Sequence, residues 1–335
     1  MSVPGEAGTR TLREAVAALA LSPETDTALV ASTSALGRAC GDTLSGIVFF
    51  GSRRTGAALA NRWSAYDLFA VVPAYRPFYE ALRGAGLLGK RPSLLAAISR
   101  WLAPTQVSLR FAAFDLHAKV SVLRDDTFRR ETSPLRHDHF TIGRLFQPAR
   151  ILLARTDSDR EMLLDGLVAA HAETWRWARP WLPERFDAET YGCRVLEISM
   201  ASEIRPEPAG RAEALWSAQK AAQCPVFQAL LRELSVRGEV VAVAGDRPAW
   251  ARARPVTKLE RLRWRAYFAV SKARATARWT KHVLSFEGWL DYILRKAARH
   301  TGQTIELQPC ERRWPLLFLW GRLFRYLRDR RRGRP

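Results

Sequence analysis

Phe49-Phe50-Gly51-Ser52 and, after a polar loop, Tyr66-Asp67-Leu68-Phe69-Ala70-Val71-Val72 are the stretches that decide the expected fold. Both apolar runs have the length and the aromatic and β-branched content of buried strands. At the turn after the first strand, Gly51 lets the backbone approach a phosphate closely, and Ser52 can hydrogen-bond to phosphate oxygens. Asp67 on the second strand can hold the Mg²⁺ that bridges such oxygens. The two stretches therefore predict the triphosphate site of a nucleotidyltransferase.

The charge of the chain is strongly positive and unevenly distributed. The 335 residues carry a formal net charge of +20, and their hydrophobic content of 47% is typical of a globular protein. Residues 251–335 contain 22 Lys and Arg against 6 Asp and Glu, so +16 of this charge lies in the last quarter of the chain. Such a balance predicts a polyanionic partner, which could be nucleic acid, an anionic lipid surface or a nucleotide.

Cysteine spacing and hydropathy bear on the compartment. The four cysteines are far apart and form no C-x-x-C pair, so neither a zinc site nor a disulfide is expected. The N-terminus lacks the basic and apolar segments of a secretory signal. The longest apolar run, 314–320, lies between Arg313 and Arg322 and is far shorter than the roughly 18 residues that a membrane span needs. We therefore expect a cytoplasmic protein whose membrane contact, if any, is peripheral and at the inner face.

The apolar spacing predicts an α+β protein in three parts. Residues 1–150 are expected to form a nucleotidyltransferase-like mixed sheet with helices, 151–250 a mainly helical domain, and 251–335 a basic amphipathic helical region. Strands are predicted at 46–50, 65–72, 107–111, 119–123 and 239–244, helices over 11–38, 76–102, 158–178, 187–199, 210–236 and 258–331, and a linker over 245–257.

Several short motifs occur in an order that points to one family. They are Phe50-Gly51-Ser52, Tyr66-Asp67-Leu68-Phe69, Ala118-Lys119-Val120-Ser121-Val122, Phe140-Thr141-Ile142-Gly143-Arg144-Leu145-Phe146-Gln147-Pro148-Ala149, Ile198-Ser199-Met200-Ala201-Ser202-Glu203-Ile204-Arg205-Pro206 and Ser271-Lys272-Ala273-Arg274-Ala275-Thr276-Ala277-Arg278. In order and spacing the set resembles the mitochondrial-type phosphatidate cytidylyltransferases, the soluble-fold CDP-diacylglycerol synthases. The chain departs from that family at Ser202-Glu203, where the family has Gly-Asp, and at Gln147, where it has Lys.

The resemblance implies a Mg²⁺-dependent transfer of CMP from CTP to phosphatidate, with release of pyrophosphate. Both reactants are anions, so the protein has to neutralise charge and align an in-line displacement. Asp67 and Glu203 are the expected metal ligands and, with Lys119, the expected catalytic residues. Gly51, Ser52, Arg144 and Arg205 are the expected nucleotide-binding residues, and Asp115 is a further candidate acid.

Each of these residues also has a structural interpretation. Asp67 fits a surface acid at a strand edge, Lys119 an edge-strand cation, and Arg144 a helix-surface ion pair. Glu203 and Arg205 are close enough in sequence to pair with each other. His137-Asp138-His139 alternates like a ligand motif, but its position at a predicted helix start favours solvated capping residues.

The basic C-terminal quarter predicts contact with a charged surface. Residues 258–300 interleave cations with aromatic side chains, which suits either stacking on nucleic acid or the headgroup level of a membrane. Residues 313–331 combine a wide apolar face with an arginine stripe, which is typical of an interfacial membrane helix. The alternative is that this apolar face packs on the core of the protein itself. We expect residues 258–335 to contact a membrane surface, with nucleic acid the less favoured partner.

Three functions therefore stay open at the sequence level. The first is a phosphatidate cytidylyltransferase that uses CTP and phosphatidate or another anionic phospholipid. The second is a nucleotidyltransferase that modifies RNA or a protein hydroxyl, with the basic region on nucleic acid. The third is an inactive membrane- or nucleic-acid-binding adaptor, since the strand of Asp67 carries one acid where many nucleotidyltransferases carry two.

Overall fold

The computed structural model of the chain describes residues 10–51, 53–54, 65–202, 210–245, 248–285, 294 and 307–313. Three predicted site residues, Ser52, Glu203 and Arg205, lie outside the described residues, as does the predicted interfacial segment from 314 onward.

Helices make up most of the described chain. They are α1 (Leu12–Ala20), α2 (Thr27–Cys40), α3 (Tyr75–Gly84), α4 (Pro92–Ser99), α5 (Asp125–Thr132), α6 (Ile142–Leu145), α7 (Asp157–Ala172), α8 (Thr174–Ala178), α9 (Ala188–Ala201), α10 (Arg211–Val236), α11 (Lys258–Ser285) and a short C-terminal helix (Pro309–Arg313). Local signals fix several of their starts: Thr11 caps α1 and Thr156 caps α7, each in a capping box, and the Asp26 carboxylate caps α2.

A mixed five-stranded sheet forms the centre of the fold. Its strands are β1 (Gly46–Phe50), β2 (Tyr66–Val72), β3 (Thr105–Phe111), β4 (Leu116–Arg124) and β5 (Arg150–Ala154). The spatial order is β3-β4-β2-β1-β5, with β2 and β4 parallel and the other neighbours antiparallel. A second sheet has three short strands in the order β6-β8-β7, namely β6 (Arg185–Phe186), β7 (Val240–Val243) and β8 (Ala249–Arg252). The fold is therefore α+β, as expected.

The large sheet is covered on both faces. Leu68, Ala70 and Val72 of β2 point into one core, which is closed by α2, α3 and α4. Phe69 and Val71 point into the other core, to which α1 and α5–α10 contribute. Because successive side chains of a strand face opposite sides, a strand buried on both faces reads as a continuous apolar run. This explains why β1 and β2 were readily predicted from the sequence.

The packing does not break at the predicted boundary at residue 150. β5 pairs with β1 and so extends the first sheet to Ala154, and one core cluster contains buried residues from Leu12 to Trp250. A short apolar run such as Arg150–Ala154 cannot be assigned to strand or helix by periodicity alone, because it spans less than two turns.

Two expectations about individual elements need correction. The predicted helix over 76–102 is two helices, because the chain turns at Gly86, whose φ is +71°. The predicted linker over 245–257 contains β8, whose sequence Ala-Trp-Ala-Arg has little strand propensity and which is held by pairing with both β6 and β7. Among the described residues, no helix combines the length and the apolar character that a bilayer crossing needs.

Candidate functional site

Gly51 and Asp67 are in direct contact at the end of β1. Gly51 has a φ of +90°, a backbone conformation that residues other than glycine rarely adopt. A Cβ atom placed on Gly51 would lie 2.7 Å from the Asp67 Oδ2 atom and 3.2 Å from the Asp67 Cβ atom. The turn therefore needs glycine for two reasons, its backbone conformation and the carboxylate packed against it.

Asp67 lies beside Lys119 in the centre of the sheet. The register pairs Phe50 with Asp67 across β1 and β2, and Asp67 with Lys119 across β2 and β4. Residues paired on neighbouring strands, about 4.8 Å apart, point to the same face of a sheet. Both side chains are half-buried, so an acid and a cation share one partly covered face. The predicted carboxylate and the predicted phosphate-binding lysine are thus brought together.

A polar patch extends this face across β3 and β4. Ser108 is the register partner of Lys119, and the Ser108 Oγ atom is 2.5 Å from the Nε2 atom of His117. The amide of Gln106 donates to the Ser121 hydroxyl at 3.2 Å. Toward the other end of the strands the same face becomes the apolar core that contains Phe69 and Leu123. The polar patch is a largely half-buried surface on β3 and β4, next to Asp67 of β2 and to Lys119. Its side chains are hydroxyl, amide and imidazole groups that can form hydrogen bonds.

The sequence contains a signal for this polar patch, although the patch was not predicted. In β3 the residues Gln106, Ser108 and Arg110 alternate with the apolar Val107, Leu109 and Phe111. This two-residue period predicts a strand with one polar face. Hydroxyl, amide and imidazole side chains indicate a phosphate site less directly than charged groups do, so the pattern alone did not predict the patch.

The described part of the site contains one carboxylate, Asp67, of the kind that suits a magnesium ion. Within the described part of the chain, no group of three or more His, Cys, Asp or Glu side chains comes together. Mg²⁺ is commonly held by one or two carboxylates together with substrate phosphates and water. Asp67 satisfies the minimum of that requirement, and the second predicted ligand, Glu203, lies outside the described residues.

Asp115 does not contribute to the site. It lies in the tight turn between β3 and β4, with a φ of +45°, and its side chain is exposed. Asp115 suits this turn because Asp tolerates the left-handed backbone conformation better than most residues do.

Arg144 lies on α6, where it and Arg278 contact the ring of Phe140. Its guanidinium lies 3.8 Å from the ring centroid of Phe140 and donates to the Phe140 carbonyl at 2.7 Å. The guanidinium of Arg278, from α11, also lies over this ring, at 4.6 Å. The fold thus brings the predicted phosphate-binding arginine next to a cation from the basic C-terminal region.

Asp138 connects this cluster to α11. Its Oδ2 atom accepts from Arg278 at 2.5 Å and from Arg274 at 3.1 Å, and its Oδ1 atom accepts from the backbone N–H of Phe140 at 3.0 Å. Asp138 and His139 are 2% and 3% exposed, so the prediction that His137-Asp138-His139 are solvated capping residues is wrong for both of them. Tertiary packing of α11, which no local pattern reveals, buries the carboxylate.

His139 is buried beside the same helix. Its backbone N–H donates to the Ser271 hydroxyl at 2.9 Å, and its ring packs edge-on against Trp177 and Phe268. Burial, together with the nearby guanidinium groups of Arg136 and Arg144, holds the pKa of His139 well below 6.5. The imidazole is therefore neutral at physiological pH, and its role is to pack α11 against the protein.

Lys281 closes the contact at the other end of α11. Its ammonium donates to the carbonyls of Trp101 and Leu102, at 2.6 and 3.0 Å. Burial, and then the neighbouring Arg278, lower the pKa of Lys281 to about 7. Three cations that the sequence assigned to a charged surface, Arg274, Arg278 and Lys281, therefore have partners within the protein.

Comparison of the chain with models of known protein families finds no match, and comparison with curated proteins finds none either.

Proposed function

We propose that the protein is a Mg²⁺-dependent nucleotidyltransferase that transfers CMP from CTP to phosphatidate or a related anionic phospholipid. The observation that carries the proposal is the contact between the Gly51 turn and Asp67, with Lys119 in register on the next strand. A close backbone approach, a carboxylate and a cation on one partly covered sheet face are the groups that a nucleoside triphosphate requires. In this proposal the fold is a nucleotidyltransferase fold, and the order of motifs selects CTP and phosphatidate.

The reaction is a displacement at the α-phosphorus of CTP. A phosphate oxygen of the lipid forms the new P–O bond, the bond to the β-phosphate breaks, and pyrophosphate leaves. Bound Mg²⁺ would neutralise charge on the triphosphate and help to align the displacement. Asp67 would hold the ion, and Lys119 would hold phosphate oxygens as a point charge.

The other residues of the proposed site have supporting roles. The glycine at 51 lets the triphosphate approach the backbone, and Ser52 would donate to its oxygens. The hydroxyl, amide and imidazole groups of Gln106, Ser108 and His117 would bind the nucleoside or the phosphates through hydrogen bonds. Arg144 and Arg205 would bind phosphate groups, and Glu203 would be the second acid.

Where the protein acts follows from its acceptor. A diacyl lipid stays in the bilayer, so the enzyme has to work at a membrane surface. We propose a cytoplasmic protein bound peripherally to the inner face of the membrane through its basic C-terminal region.

A direct assay tests the function. Full-length protein is incubated with CTP labelled at its α-phosphate, Mg²⁺ and phosphatidate vesicles, and labelled lipid is separated by chromatography. We expect a CDP-lipid whose formation needs Mg²⁺ and is lost in Asp67→Asn, which keeps the size of the side chain but removes its charge. Absence of labelled lipid across a range of vesicle and metal conditions would sink the proposal.

A further inference from the structure

α11 presents an apolar stripe to the outside of the protein. Leu259, Leu262 and Val270 are 75%, 62% and 55% exposed, which is unusual for large aliphatic side chains. Three exposed alanines occur between and beyond them on the same helix face: Ala266, Ala269 and Ala273. Steps of three and four residues place all six on one side of the helix. A helix on a globular protein normally turns such a stripe toward the core.

The opposite side of α11 is already occupied by the protein. Trp264 and Phe268 pack on the core that contains Phe69 and Val71, and the Tyr267 hydroxyl accepts from Arg136 at 2.9 Å. Farther along, Ser271 and Arg278 are buried against the loop that carries Asp138 and His139. The inner contacts fix the rotation of the helix, so the outer stripe cannot turn inward without breaking them.

Cations flank the outer stripe. Five of them are exposed on the same helix: Lys258, Arg261, Arg263, Arg265 and Lys272. The acid near the start of the helix, Glu260, is paired at 3.0 Å with Arg179 of the protein body and so does not offset them. Four of them, Lys258, Arg261, Arg265 and Lys272, lie along one flank of the stripe, and Arg263 lies on the other. The outer face of α11 thus combines an apolar stripe with a positive flank.

We infer that this outer face of α11, from Lys258 to Ala273, lies on the surface of an anionic lipid bilayer. The inference deepens the proposed function and rests on it for the idea that the acceptor is a membrane lipid. Aliphatic side chains beside a flank of Lys and Arg match the boundary between acyl chains and anionic headgroups. A second copy of the chain fits poorly, because it would bring the same cations to the contact.

RNA is the less suitable occupant of this face. Proteins hold single-stranded nucleic acid by stacking bases on aromatic side chains beside a basic groove. Within the stretch from Lys258 to Ala273, the aromatic residues Trp264, Tyr267 and Phe268 pack together on the inner side of α11. The outer side offers leucine, valine and alanine, which bury in lipid and do not stack on bases.

Vesicle cosedimentation tests the inference with full-length protein in the absence of CTP and Mg²⁺. We compare vesicles of pure phosphatidylcholine with equimolar phosphatidylcholine and phosphatidylglycerol. Wild-type protein should prefer the anionic vesicles, and Leu262→Glu should weaken that binding about tenfold or more, because it replaces a lipid-buried leucine with a charge. The matched control is Leu135→Glu, since Leu135 is 78% exposed but lies off the helix.

A second variant keeps the test independent of apolar substitutions. Arg261→Ser combined with Arg265→Ser removes two exposed cations, and it should weaken binding to the anionic vesicles about tenfold and flatten its salt dependence. Circular dichroism and thermal melting of each variant verify that it is folded. Wild-type affinity for the vesicles in both folded variants would overturn the inference. Cosedimentation with tRNA is measured in parallel, and variants that lose tRNA binding but keep vesicle binding would overturn it too.

The same experiment separates this inference from the proposed reaction. Asp67→Asn should bind vesicles as wild type does, because the carboxylate lies on the sheet and not on α11. Vesicle binding without CDP-lipid synthesis would contradict the proposed reaction and support the membrane contact of α11. CDP-lipid synthesis by a protein whose outer α11 face does not bind vesicles would contradict the membrane contact and support the reaction.

Discussion

At the scale of single residues, the arrangement around Asp67 depends on Gly51 having no side chain. The missing side chain lets a carboxylate oxygen occupy a position 2.7 Å from where a Cβ atom would be. Asp67 is therefore positioned by a backbone turn on one side and by the strand of Lys119 on the other. Such positioning from rigid strands is what a phosphoryl-transfer site needs, since its catalysis consists mainly of alignment and charge stabilisation.

Gly51→Ala is expected to disable the site with only a modest loss of stability. The new methyl group would displace the Asp67 carboxylate, and a misplacement of about 1 Å can lower a rate about a hundredfold. The matched control is Gly86→Ala, since Gly86 also has a positive φ, +71°, but no atom lies within 4 Å of its added Cβ. Both variants carry a backbone strain of about 1 kcal/mol, but only Gly51→Ala should lose CDP-lipid synthesis. Equal activities in the two variants would contradict the role of this contact.

At the scale of elements, α11 has two sides with different purposes. Its inner side is held by the buried Asp138 carboxylate, by the His139 backbone N–H, which donates to the Ser271 hydroxyl of the helix, and by two backbone carbonyls. The Asp138–Arg278 pair is almost completely removed from water, with side chains 3% and 1% exposed. Breaking such a pair costs more than the pair itself contributes, because the remaining charge is left without a partner in a region of low dielectric constant.

Asp138→Asn is expected to loosen α11 from the protein body. Leaving Arg278 buried without its carboxylate should lower the free energy of unfolding by about 3–5 kcal/mol. Urea unfolding measures the loss, and faster trypsin cleavage within α11 locates it. The control is Asp126→Asn, which breaks an exposed pair with Arg124 and should cost less than about 1 kcal/mol. An equally small effect of both substitutions would show that the buried pair does not hold the helix.

At the scale of the whole molecule, two cores on opposite faces of one sheet join the parts of the chain. The larger core contains His171, which is 2% exposed and whose Nδ1–H donates to the Leu167 carbonyl at 2.8 Å. Burial lowers the pKa of His171 to about 4. Burial also keeps His139 neutral at the contact with α11. The free energy of unfolding should therefore depend on pH above the range in which the carboxylates titrate.

The stability of the protein is expected to fall as the pH drops from 7 to 5. In this window the unfolded chain protonates its histidines near pH 6.5, whereas folded His171 resists protonation down to about 4. Since the unfolded state binds more protons, His171 alone should remove about 2 kcal/mol of unfolding free energy between pH 7 and pH 5. Urea midpoints at the two pH values measure the slope, which should be clearly shallower in His171→Gln. A variant slope as steep as that of the wild type would exclude His171 as its source.

The sequence by itself determined the local elements and the residues that carry charge. Periods of 2 and 3.6 residues in the apolar pattern are set by strand and helix geometry, so β1–β4 and most helices were predicted where they occur. The Gly51 turn and the strand positions of Asp67 and Lys119 were predicted in the same way. None of these features needs a partner that is distant in the sequence.

Only the tertiary structure decided which of these residues meet. Asp67 and Lys119 become neighbours because β2 and β4 pair in parallel with one particular register, which depends on burying both faces of the sheet at once. Likewise, the sequence of α11 contains aromatics, aliphatics and cations without stating which face inward. The buried contacts of Asp138 and His139 fix that rotation, so Trp264, Tyr267 and Phe268 turn in and the aliphatic stripe with its basic flank turns out.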